Sequence, residues 1–260
     1  MSGPDSQDTG SPGATDESAP KAHFLDADFD TFAPHKHRDE LFNEERRRLK
    51  GRLKLMGERV QKHLKKKKLP LELRTSLSHP YTYNGFKVDS MWFYLARPAK
   101  DRRALKDLMG PELGQDLDPN YLHLVLAVAI DHTHIEIAFR IHERAWWDTQ
   151  NLKNKCEGRE GAQAFAETLN PLEGFSMFIH DWKKEYPCAS ASWGDIGTFM
   201  MYFKPGEHRL TIRKRIPRGD PRAVSAELID EAAEWFEKGI PLYRFVSWSP
   251  ENNHLGLGSR

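Results

Sequence analysis

A chain of 260 residues, 38% hydrophobic and 30% charged, holds enough apolar material for one domain with a substantial core, and its net charge of +1 excludes any partner argument from overall charge. Cys156 and Cys188 are the sole cysteines, which excludes a disulfide framework and a thiolate metal site and suits a reducing, cytoplasmic setting. No apolar run approaches the roughly 20 residues that cross a bilayer, and the amino terminus lacks a basic flank before a hydrophobic core, so neither membrane insertion nor secretion is expected.

Residues 1–22 are rich in Ser, Gly, Pro, Asp and Thr and predict a disordered tail. An α+β domain is expected over residues 23–250, a mostly antiparallel sheet packed by helices, followed by a flexible tail at 251–260. The run FLDADFDTFAP predicts a short helix docking Phe24, Phe29 and Phe32. Asp26, Asp28 and Asp30 lack the glycine and terminal glutamate of a calcium loop and read as helix-start charges.

From about Arg38 to Lys67 the apolar residues Phe42, Leu49, Leu53, Met56, Val60 and Leu64 recur at helical spacing and define one buried stripe. Around that stripe lie Arg46, Arg47, Arg48, Lys50, Arg52, Lys54, Arg59, Lys62 and the run Lys65, Lys66, Lys67, Lys68, with Glu58 nearly alone in opposition. A helix of this kind could track phosphates and release counterions. An ordinary solvated face, with cations near the helix C-terminus, is the plainer alternative.

After Pro70, LELRTSL reads as a strand, Pro80 and Asn84-Gly85 as turns, and FKVDSMWFYLAR as a buried strand with Met91, Phe93 and Leu95 on one side and Ser90, Trp92 and Tyr94 on the other. A helical excursion is expected near residues 101–109. Residues 122–142 then form two alternating runs, LHLVLAVAID and HIEIAFRIH, around His132-Thr133. Setting Ile130 against Ile135 pairs Val128 with Ile137, Leu126 with Phe139 and Leu124 with Ile141, a wholly apolar face. A slip of one residue would destroy it. His-Thr is poor chemistry for a two-residue turn, so a four-residue loop through Asp131 and His134 is the alternative.

The same register sets Asp131 against His134, Ala129 against Glu136, Ala127 against Ala138, Val125 against Arg140 and His123 against His142. Either a helix covers these alanines while Glu136 and Arg140 pair, or Asp131, His134, Glu136, Arg140 and His142 form a pocket for a metal-dependent hydrolase or nuclease. His134 and His142 lie roughly 26 Å apart along one strand and cannot share an ion. No metal site and no cofactor is therefore expected.

The opening DFDTF, a helix passing Gly57, and an aromatic strand containing Trp92 resemble the YktB-like family of bacterial α+β proteins over about the first 140 residues. The family's basic run leading to Asn-Pro-Pro is replaced here by residues 73–83, with Arg74, Thr75 and Pro80 reminiscent of it. The family has no established activity, so the resemblance implies a fold and carries no catalytic residue.

Residues 143–170 predict two helices, with the Trp146-Trp147 pair read as core rather than as a stacking platform. FSMFIHD and residues 198–204 read as strands, and Pro205-Gly206 as a turn. In HRLTIRKRI, Arg209, Thr211, Arg213 and Arg215 fall on one face, and Lys214 interrupts the other, which predicts an edge strand. The arginine row, spaced about 6.6 Å apart, could meet a polyanion. A helix over residues 225–238 with Gly239 as its cap, and a strand PLYRFVSW, close the domain.

Ser190, Ser192, Asp195 and His180 supply nucleophile and base types, but no G-x-S-x-G turn joins them. Glycine-rich phosphate cradles are absent. The expectation is a binding or adapter protein whose basic surfaces, residues 46–68 with Arg209, Arg213 and Arg215, engage nucleic acid or an acidic protein partner. A hydrolase around Glu136 and a protein scaffold are the alternatives.

Overall fold

Across the centre of the molecule Leu73, Leu95, Leu126, Phe139, Ile212 and Met177 follow one another on six neighbouring strands. This row belongs to a seven-stranded antiparallel sheet in the computed structural model, which describes residues 22–114 and 119–256. The tail expected over residues 1–22 falls, apart from Ala22, outside the described residues.

In chain order the elements are α1 (Asp26–Asp30), α2 (Asn43–Lys66), β1 (Glu72–Thr75), β2 (Ser90–Ala96), α3 (Ala99–Leu113), β3 (Val125–Asp131), β4 (His134–Ile141), α4 (Trp146–Lys155) and α5 (Gly158–Leu169). There follow β5 (Ser176–Ile179), β6 (Tyr186–Pro187), α6 (Trp193–Tyr202), β7 (Leu210–Pro217), α7 (Leu228–Lys238) and α8 (Ile240–Val246). The sheet order is β1-β2-β3-β4-β7-β5-β6, and the whole forms a single α+β body.

The β3–β4 hairpin has the register that its alternation dictates, with Ile130 opposite Ile135, Val128 opposite Ile137 and Leu126 opposite Phe139. Its connection is the two-residue one, His132 and Thr133, and neither has a positive φ. The Asp131 carboxylate makes this possible by accepting the backbone N–H groups of Thr133 (2.6 Å) and His134 (2.9 Å), an Asx-turn in place of the usual hairpin turn.

Helices α2 and α7 lie on the apolar face. The approach is close enough that a Cβ on Gly57 of α2 would sit 2.4 Å from Leu73 Cδ1, and one on Gly239, the cap of α7, would sit 2.1 Å from the Phe139 ring. A side chain at either point would have to displace Leu73 or the Phe139 ring. Phe236 of α7 meets Phe139 edge to face at 5.6 Å, and Leu49, Leu53, Met56, Val60 and Leu64 form the buried stripe of α2. Each such side chain removed from water stabilises the fold by about 1.5–3 kcal/mol.

A buried polar knot joins distant segments. Asp148 of α4 is fully buried; its carboxylate accepts Leu124 N at 3.0 Å and Trp248 N at 2.8 Å, while Arg97 donates to Trp248 O at 2.8 Å. Residues 251–256, expected within a flexible tail, are tied down instead. Asn252 Nδ2 donates to the carbonyls of Arg244, Phe245 and Ser247, and His254 N donates to Asn151.

Three local expectations are overturned. Residues 198–204 belong largely to helix α6, because Ser192 and Asp195 form a reciprocal capping box that starts a helix at Trp193. PLYRFVSW is mostly helix α8, opened by Pro241 in its first turn and burying Leu242, Tyr243 and Val246. Strand β7 is central rather than an edge, between β4 and β5, since Lys214 is neutralised by Glu231 (3.4 Å) and lies 4.3 Å from the Trp235 ring.

Candidate functional site

The two basic regions lie on opposite sides of the sheet. Gly57 of α2 packs on Phe93, whereas Arg213 and Arg215 stand opposite Ala138 and Glu136, whose side chains point to the other face. They do not form one continuous surface.

On α2, the basic residues divide by position on the helix. Arg46 is completely buried and donates to Asn43 Oδ1 (2.8 Å) and to the carbonyls of Asp39 and Lys36, so it fastens the start of the helix. Burial pushes its pKa below the usual arginine value. Arg52 pairs with the buried Asp28 at 3.2 Å. Along the flank facing α7, Arg59 pairs with Asp230, and Glu237 receives both His63 and Lys67 at 2.7 Å. These pairs bolt α2 to α7, so Arg46, Arg52, Arg59 and Lys67 are committed to the fold.

The remaining cations point outward. Arg47, Arg48, Lys54, Lys62, Lys65 and Lys66 are exposed on one side of the helix, a ridge about 28 Å long at 1.5 Å per residue. Arg47 meets Glu44 (2.6 Å) and Lys54 meets Glu58 (3.8 Å) along the helix. Arg48, Lys50, Lys62, Lys65, Lys66 and Lys68 form no ion pair with any described residue.

On the other face of the sheet, Glu72 of β1 accepts Ala99 N from the start of α3 at 2.9 Å, and Tyr94 Oη donates to Asn120 Oδ1 at 3.0 Å. Ala127, Ala129 and Ala138 are buried. Glu136, 7% exposed, receives Arg140 Nε and Nη2 on Oε1 at 3.2 and 2.7 Å, and Arg213 Nη1 and Arg215 Nε on Oε2, both at 3.3 Å. Burial works against the charge of Glu136, but Arg140, then Arg213 and Arg215, outweigh it and hold the carboxyl below its ordinary range. Two oxygens with four bonds have no acceptor capacity left. Glu136 therefore positions guanidiniums and is not placed to act as a general base.

The other polar residues of the hairpin are dispersed. Asp131 is occupied by its turn; burial opposes its charge, but His134 and Thr133 outweigh that and keep it well below the carboxylate range. At the opposite end of β4, His142 sits beside Glu143 (3.5 Å) and the Tyr121 ring (5.8 Å), and burial lowers its pKa. Arg209 pairs with Glu143 at 3.0 Å. No group of three or more His, Cys, Asp or Glu residues arranged to hold a metal occurs among the described residues.

Nor do the nucleophile types converge. Ser192 Oγ donates to Asp195 Oδ2 at 2.6 Å as part of the α6 cap, and His180 Nδ1 accepts the Arg209 backbone N–H. Both cysteines are buried, which pushes their thiols up to about 12.

Sequence reading left out the aromatic side of the polar face. Trp92 and Tyr94 of β2 stand two strands from Glu136, and Phe178 of β5 lies 3.8 Å beneath the Arg213 guanidinium, which also reaches Glu185 at 2.7 Å. The Arg140 guanidinium lies 5.7 Å from the Trp92 ring. Alternation in β2 already put Trp92 and Tyr94 on the side of Ser90, and that was the available signal. No described helix is long and apolar enough to cross a membrane. No protein-family model and no curated protein sequence matches the chain.

Proposed function

We propose that this protein binds nucleic acid through the phosphate backbone, using the outer ridge of α2, and that its work is binding rather than catalysis. The observation that carries this reading is the sorting of charge on the helix. The acids of α7 take up the flank cations, while Lys62, Lys65, Lys66 and Lys68 face solvent with no described counter-ion. Protein-binding surfaces are depleted in lysine and enriched in aromatic anchors; this ridge has the opposite composition, which favours a polyanion over an acidic protein. A row of point charges of this kind fits backbone neutralisation without sequence readout.

Titration of a labelled mixed-sequence duplex, read by fluorescence anisotropy between about 50 and 200 mM salt, tests the reading. Affinity falls steeply with salt. The fourfold variant Lys62→Glu, Lys65→Glu, Lys66→Glu, Lys68→Glu flattens the log–log salt slope by up to about three or four units, at roughly 0.9 for each phosphate no longer neutralised. Absence of binding at low salt, or a variant that titrates like the parent, sinks the proposal.

A further inference from the structure

The sheet face opposite α2 is a shallow trough. Its floor is Ala127, Ala129 and Ala138; Trp92 and Tyr94 line one side, and Arg140, Arg213 and Arg215 gather round Glu136 on the other. Three guanidiniums against Glu136 and Glu185 leave one positive charge in excess. That excess sits beside an aromatic ring.

Hydrogen-bond capacity locates the unfilled positions. A guanidinium carries five N–H donors. Arg215 spends only Nε, on Glu136, so both of its Nη groups have no acceptor among the described residues, and its side chain is 49% exposed. Arg140 spends Nε and Nη2 on Glu136, leaving Nη1 without an acceptor in the arch that it makes toward Trp92. Arg213 is nearly used up by Glu136, Glu185 and Phe178 and acts as a support.

We infer that this face binds a nucleotide-class ligand, with an aromatic ring stacked on Trp92 and its phosphate monoester held by Arg140 and Arg215. Two guanidiniums approaching from adjacent strands suit an oxyanion with three terminal oxygens better than a flat carboxylate. Trp92 and Glu136 stand in one row of the sheet two strands apart, about 10 Å, which suits a base and its own 5′-phosphate. Glu136 is a positioning residue: filled by its four bonds, it holds the guanidiniums over the trough. The source of the ligand is a free mononucleotide or the phosphorylated end of a strand. The inference does not rest on the α2 ridge, which lies on the other side of the sheet.

The test is titration of the full chain with adenosine 5′-monophosphate, followed by tryptophan fluorescence and by calorimetry. Adenosine, inorganic phosphate, and an oligonucleotide with and without a 5′-phosphate serve as comparison ligands. Saturable binding of the monophosphate, at least about tenfold tighter than adenosine, is expected, because losing charge-assisted hydrogen bonds costs that much or more. Arg215→Ala, exposed enough to fold normally, weakens it about tenfold; Trp92→Leu weakens it and removes the fluorescence response. The fourfold α2 variant leaves it unchanged. Binding of the phosphorylated oligonucleotide alone, still sensitive to Arg215→Ala, supports the inference with a strand end as the source. No binding of either phosphate ligand, equal binding of adenosine, an unchanged Arg215→Ala titration, or loss of binding in the α2 variant overturns it.

Discussion

The α2 ridge and the β7 arginines are equally dense runs of positive charge in the chain, and the fold uses them in opposite ways. On α2 the cations nearest the body are taken up by Asp28, Asp230 and Glu237, and those on the outer side face solvent. On the sheet three arginines are drawn around one buried carboxylate. The first arrangement makes a diffuse field, set by charge number and weakened by salt. The second makes fixed donors with geometry, because a low-dielectric floor and shared bonds to Glu136 restrict each guanidinium. Similar composition thus yields a non-selective surface in one place and a shaped one in the other.

That contrast breaks most readily at Glu136. Glu136→Ala leaves three guanidiniums without their shared partner and lowers stability by about 3 kcal/mol, read as a shifted urea midpoint. A cost below about 1 kcal/mol would mean that the cluster is no more organised than the ridge.

Acid provides a gentler version of the same change. Glu136 has a folded-state pKa below its ordinary value of 4.5, so the unfolded chain binds more protons as pH falls through that range. Its contribution is present above pH 4.5 and is lost progressively below it. Denaturation curves of the parent and of Glu136→Gln, compared from neutral to acid pH, should converge on acidification; curves that stay parallel contradict the assignment.

Smaller effects belong to α2. Glu237→Gln releases His63 and Lys67 on a partly exposed flank and costs less than about 1 kcal/mol. Reversing Lys62, Lys65 and Lys66 on the outer side changes the unfolding free energy least, within about 0.5 kcal/mol by urea denaturation, although it is expected to have the largest effect on polyanion affinity. A large loss of stability there would show that the ridge is structural.

How much of this was legible in the chain depends on the kind of signal. The β3–β4 hairpin could be paired residue by residue because one face is wholly apolar and a slip would expose it. The buried stripe of α2 was readable for the same reason, at helical period. Helix α6 was not, since WGDIGTFMMY is apolar on most sides and short apolar runs do not distinguish helix from strand; the Ser192–Asp195 cap was the stronger clue. In α8 a chance alternation of Leu242, Arg244 and Val246 suggested a strand, against the helix-starting position of Pro241.

Pairings between distant segments leave no local trace. Nothing near Lys214 announces that Glu231 and Trp235 will cover it, and nothing near Arg59 announces Asp230. The charges could therefore be named from the chain but not assigned to partners. Glu136 with Arg140 was the exception, because both lie on one strand.

The place of β7 between β4 and β5 has a consequence in time. A ribosome that has released β4 must still make residues 142–209 before the strand that pairs with it begins to appear. At roughly 5–20 residues per second, the β4 edge and the apolar side of Ile137 and Phe139 wait several seconds for their partner. During that interval the nascent chain presents an open strand edge, which other chains could occupy. Completion of the sheet is thus a late event in the life of the molecule, and crowding during synthesis bears on its yield more than on its final stability.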